Sequence, residues 1–204
     1  MDPILIGVLL VLGIIVVIVL VVGGMGVGIY NRLVTLRNDF KNQFAQIDVQ
    51  LKRRHDLIPN LVETAKGYMA HERGTLDEVV AARYGAVAAR QQASGDPTDV
   101  AAVQKVAAAE GVLTQSLGRL FAVAEAYPNL KANETMLQLQ SQLTETEDHI
   151  SLARQAYNES VRNYNTQREI FPNSFVAGMF NFAPASLYEI TDPGEREVPK
   201  VSFA

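Results

Sequence analysis

The chain has 204 residues, a formal net charge of -4, three histidines and no cysteine. Lack of cysteine removes disulfides, thiol chemistry and lipid attachment through sulfur. The negative balance argues against general nucleic-acid binding, and three histidines leave few metal ligands.

Hydrophobic residues make up 48% of the chain but are unevenly spread. No charge occurs from Pro3 to Ile29, and Ile4–Val22 is almost wholly Ile, Leu, Val and Gly. A bilayer core of about 30 Å takes about 20 helical residues, so this stretch is long enough to span it with some tilt. A cleaved secretory signal would open with basic residues and carry a shorter apolar core. Met1-Asp2-Pro3 has no Lys or Arg, so an uncleaved anchor over residues 1–29 is expected. Within it Gly24 and Gly28 have the spacing that lets transmembrane helices approach closely, which makes them candidate packing residues. Arg32, Arg37 and Lys41 follow the span and no basic residue precedes it. The positive-inside rule then puts the N-terminus outside and the rest in the cytoplasm.

Beyond Tyr30 the apolar residues repeat at helical spacing, with no strand-like alternation. Leu33, Leu36, Phe40, Phe44, Ile47 and Leu51 form one stripe that continues directly out of the span. Ile58-Pro59 predicts a turn or kink. A second helix should follow from Leu61, with a stop and a capping box at Gly74–Glu78. Ser94-Gly95-Asp96-Pro97 reads as a loop, with Asp96 capping a third helix that ends at Tyr127-Pro128-Asn129.

A fourth and longest helix is expected over Leu130–Glu169, about 60 Å long. Its seam fades from Met136, Leu143 and Ile150 to Tyr157 and Tyr164, as for a wetter or partner-contacting surface. Short loops make successive helices antiparallel neighbours. The expected fold is all-α: a transmembrane helix continuing into an elongated antiparallel bundle of about four helices over residues 30–172. Residues 173–204 form a C-terminal apolar segment and tail. Phe175, Val176, Met179, Phe180 and Phe182 make a candidate interfacial patch or a cover for the bundle end, with no basic residue among them. The tail is expected to stay extended or disordered until bound.

No constellation for catalysis stands out. A dinuclear carboxylate site needs Glu-x-x-His on two helices, and none occurs. Glu145, Glu147, Asp148 and His149 read as a solvated face, and His71-Glu72 lacks the second His of a zinc protease. His55, Asp56 and Glu125 would suggest an enzyme only if the fold gathered them in a buried pocket. Lys52-Arg53-Arg54, the one basic run, lies some 33 Å beyond the bilayer along a straight helix. It reads as a helix end or, with Tyr157 and Tyr164, as a contact for a partner or a second subunit. No catalytic residue, cofactor, metal or small-molecule substrate is expected.

The stretch Gln46–Val62, containing Arg53-Arg54-His55-Asp56-Leu57-Ile58-Pro59-Asn60-Leu61, resembles the signature of the bacterial LemA family. So do His71-Glu72, Ala82-Arg83, Glu125–Asn133, Ala153–Asn158, Tyr164-Asn165 and Phe171-Pro172, and the likeness runs roughly from Tyr30 to Glu189. The resemblance implies a bacterial envelope protein with an N-terminal anchor and an antiparallel bundle, some members acting beside membrane metalloproteases or stress systems. It implies no established activity, cofactor or catalytic residue. The expected role is therefore a non-enzymatic scaffold at the bacterial inner membrane that self-associates and binds protein partners. A lipid or membrane-stress sensor, or an adaptor for a membrane protease, is the alternative.

Overall fold

A computed structural model describes residues 3–189. Six helices follow one another: α1 (Pro3–Lys66), α2 (Arg73–Gly95), α3 (Val100–Ala124), α4 (Pro128–Lys131), α5 (Glu134–Glu169) and α6 (Asn173–Met179). No strand occurs among the described residues. The expected tail beyond residue 189 lies outside them.

α1 is one helix of 64 residues with Pro59 inside it, about 96 Å from end to end. The helix continues through Ile58-Pro59, so the expected turn does not occur there. Proline removes one helical hydrogen bond, the one to the carbonyl of His55, and Arg83 of α2 donates to that oxygen instead at 2.7 Å. Leu61 and Ala65, expected on a second helix, thus extend the first stripe, Met69 follows in the turn beyond it, and all three are fully buried. The chain turns after Lys66, so α2 does begin beside Gly74, but without the capping box: its N-cap, Glu72, makes no side-chain cap bond. At the next loop Asp99, not Asp96, caps α3 by accepting from the N–H groups of Ala101 and Ala102. Asp96 instead binds Thr98, whose N–H and hydroxyl both donate to it and hold its carboxyl below the ordinary range. The fourth expected helix begins four residues late, at Glu134, with Asn133 as its cap; Leu130 belongs to the separate turn α4.

Cross-helix pairs fix the directions. Phe44 meets Tyr157 and Phe40 meets Tyr164, so α5 runs antiparallel to α1. Arg83 reaches His55 and Arg90 reaches Asp48, so α2 is antiparallel to α1 as well. α2 ends level with Asp48, where Ser94 donates to that carboxylate at 2.7 Å. Below that level α1 is covered by α5, α6 and the segment 182–189.

The core has two apolar clusters. The one nearer the apolar stretch of α1 contains Leu33, Phe40, Ile47, Val103, Tyr157 and Tyr164. The distal one contains Ile58, Leu61, Leu113, Leu120 and Leu139. Burial of each large side chain contributes roughly 1.5–3 kcal/mol.

Candidate functional site

Three places carry more chemistry than helix packing requires. The first is a polar layer between the two clusters. Arg54, His55 and Glu110 are 4%, 2% and 2% exposed. The Arg54 guanidinium donates to Glu110 at 3.2 Å and to the Thr114 hydroxyl at 2.7 Å. His55 Nε2 lies 2.7 Å from the other Glu110 oxygen. Glu147 of α5 approaches Arg54 at 3.4 Å, and Thr146, fully buried, donates to Gln142. A buried charge is costly unless paired and hydrogen-bonded, and here each has a partner.

Arg54 therefore turns inward, away from any surface a partner could touch. Arg53 stays exposed and meets Glu145 at 3.3 Å, and Lys52 is exposed. Asp56 is exposed while His55 is buried. Glu125 follows the C-terminal end of α3, about 22 Å along the helix from Glu110, so the trio of His55, Asp56 and Glu125 does not assemble. Glu72 accepts from the Tyr127 hydroxyl, and His149 sits 3.7 Å from Glu145 on one face. Among the described residues no three metal-ligating side chains gather.

The second place is the late seam of α5. Tyr157 and Tyr164 are 0% and 1% exposed, and the chain's own segment 182–189 fills the seam. The two hydroxyls donate to the carbonyls of Ser186 and Ala183, each at 2.8 Å. The neighbouring asparagines each clasp one residue of the segment by both backbone groups: Asn165 holds Ala185 and Asn158 holds Tyr188. One heptad of helix rises about 10.5 Å and three residues near full extension span about 10 Å. A Tyr-Asn pair repeated every seven residues thus matches a backbone repeat of three. Tyr157 and Tyr164 are bound up within the chain and are not a surface for a partner.

The third place is where α1 leaves its apolar stretch. That stretch makes α1 long and apolar enough to cross a membrane. Its described side chains are exposed, Leu10 and Leu20 at 65% and 69%. α6 lies against its end. Tyr30 meets Phe180 edge-on at 4.8 Å and Phe182 at 5.6 Å. Of the expected patch, Val176 and Phe182 are buried and cover the bundle end. Phe175, Met179 and Phe180 remain 68%, 61% and 54% exposed, joined by Phe171 at 88%. Between them and α1 is a cavity of about 670 Å³, lined by Gly23, Gly26 and Tyr30 among others. Gly24 and Gly28 do not line it; at 100° per residue they fall on the opposite face of α1. A Cβ at either would meet nothing within 4 Å. A basic residue that the patch lacks in sequence arrives from α1: Arg37 lies over Phe182 at 5.2 Å, while Arg168 pairs with Glu169 at 3.0 Å.

The model of the LemA family matches residues 43–203. Magnetosome protein MamQ 1 of Paramagnetospirillum magneticum is 25% identical over 187 residues, covering 83% of this chain and 68% of that protein. Magnetosome protein MamQ of Magnetospirillum gryphiswaldense is 24% identical over 184 residues with the same coverage. Protein LemA of Metamycoplasma hominis is 23% identical over 166 residues, covering 81% of this chain and 71% of its own length.

Proposed function

From the premise that this chain belongs to the LemA family, we propose that it is a membrane-anchored, non-enzymatic scaffold that self-associates and holds protein partners at a fixed height above the bacterial inner membrane. The observation that carries this is the unbroken α1. Any helix–helix contact made in the bilayer is transmitted without a hinge to a bundle reaching about 55 Å beyond Tyr30. Two further features support it. Among the described residues nothing lies within 4 Å of a Cβ added at Gly24 or Gly28, and small residues of this kind let a second span come close. Arg54, His55 and Glu110 are spent on one another inside the bundle, which suits a rigid spacer better than a reaction site. Arg32, Arg37 and Lys41 favour an N-terminus outside and the bundle in the cytoplasm.

The test is the mass and particle shape of the full-length protein in mild detergent and in nanodiscs. A discrete assembly that falls apart in Gly24→Leu/Gly28→Leu is the expected result. A monomer at every accessible concentration would end the self-associating reading.

A further inference from the structure

We propose that the cavity between α6 and the end of the apolar stretch of α1 is a binding site for one acyl chain of a membrane phospholipid. The site draws a lipid from the leaflet into the foot of the bundle. One wall is the span itself, through Gly23, Gly26 and Tyr30, and the other is α6, through Phe175, Met179 and Phe180. A groove whose wall continues the transmembrane helix opens where lipid tails end, so tails are the apolar molecules that reach it. Its volume of about 670 Å³ falls within the 300–1,000 Å³ typical of ligand pockets.

The α1 wall stands clear at glycines 23 and 26: among the described residues a Cβ at either meets nothing within 4 Å. The aromatic side chains exposed around it are of the kind that settles at a bilayer interface. On the bundle side, Arg37 lies over the Phe182 ring, about 10.5 Å along α1 from Tyr30 of the cavity wall, and brings one positive charge to the headgroup side of the site. α6 is held against the end of the apolar stretch by its own tertiary contacts, Tyr30 against Phe180 among them.

The inference rests on α1 spanning the bilayer and not on self-association. A monomer in the sizing experiment leaves it standing, and its own failure leaves the scaffold standing.

The chain contains no tryptophan, so one introduced residue reports alone. Full-length Phe180→Trp, at one protomer per nanodisc, is measured in phosphatidylethanolamine and phosphatidylglycerol with and without bromine on the acyl chains. Bromine should quench it several-fold more than it quenches Tyr84→Trp, placed on the exposed face of α2. Gly26→Leu fills the cavity from the α1 wall and should return the quenching most of the way to that control. Quenching of Phe180→Trp no greater than that of Tyr84→Trp would overturn the proposal. So would quenching indifferent to Gly26→Leu, which would mean that the ring lies in the leaflet and the cavity holds nothing. Quenching that disappears when two protomers share a disc would assign the cavity to a second copy and also overturn it.

Discussion

The side chain of Arg83 donates to the backbone carbonyl of His55 at 2.7 Å, and His55 stands four residues before Pro59. In an unbroken helix that oxygen would accept from the N–H of residue 59, which proline lacks. α2 thus completes a hydrogen bond that α1 cannot make for itself. The tertiary contact helps the helix continue past a residue that would otherwise end it.

Arg83→Met should therefore cost about 1.5–3 kcal/mol, the worth of a charged hydrogen bond lost at a part-buried site. In a Pro59→Ala background the backbone N–H returns, and the same substitution should cost about 1 kcal/mol less. Urea unfolding of the full-length protein, followed by circular dichroism, measures the four corners of this cycle. An equal cost in both backgrounds would separate Arg83 from the proline.

Glu110 accepts from both Arg54 and His55. Its loss would leave the buried guanidinium with only the half-exposed Glu147 carboxylate, so Glu110→Leu should cost about 3 kcal/mol, the low end for breaking a buried pair. Arg54→Met/Glu110→Leu together should cost clearly less than Glu110→Leu alone, because a paired hydrophobic exchange leaves no orphaned charge. A double variant as unstable as the single one would show that the layer gives stability as well as register.

Much of this layer was visible in the apolar register. Ile47, Leu51, Ile58 and Leu61 leave a gap filled by Arg54 and His55. Val106 and Leu113 bracket Glu110, and Leu143 and Ile150 bracket Thr146. A polar residue at a core position on three helices is a pattern that a search for exposed basic runs passes over. The long apolar N-terminal helix, the helical class and the apolar faces follow directly from composition and period. The continuity through Pro59 does not, because it depends on Arg83, far away in sequence. The fate of the late seam on α5 was equally hidden. Tyr157, Asn158, Tyr164 and Asn165 look solvated unless the chain's own segment 182–189 is known to return over them.

That segment gives a third prediction. Asn165 satisfies both backbone groups of Ala185. Asn165→Ala should thus release the strap locally, with little effect on the distal cluster. Hydrogen exchange at Ala185 and Tyr188 should quicken at least several-fold, and limited proteolysis should cut near residue 187. Asn165→Asp keeps the acceptor for the Ala185 N–H but loses the donor, and should fall between the parent and Asn165→Ala. Unchanged exchange in Asn165→Ala would mean that the tyrosine hydroxyls alone hold the segment.

Alkaline pH tests the same seam through its phenols. Burial raises Tyr157 above the ordinary value of 10.0. It raises Tyr188 too, where the nearby Glu110 carboxylate adds to the effect. In the unfolded chain both titrate near 10, so above that pH the unfolded state holds fewer protons than the folded one. Stability is full below pH about 10 and falls as pH rises further, by about 1.4 kcal/mol per pH unit for each phenol. The two residues differ at neutral pH. The Tyr157 hydroxyl donates to Ser186, so Tyr157→Phe should cost about 1 kcal/mol. The Tyr188 hydroxyl has no partner among the described residues, so Tyr188→Phe should be neutral or stabilising. Both variants should flatten the alkaline loss, because each removes one titrating group. Urea midpoints at neutral pH and at pH about 11 measure both effects. A Tyr188→Phe protein weaker than Tyr157→Phe at neutral pH would mean that the Tyr188 hydroxyl has an acceptor after all.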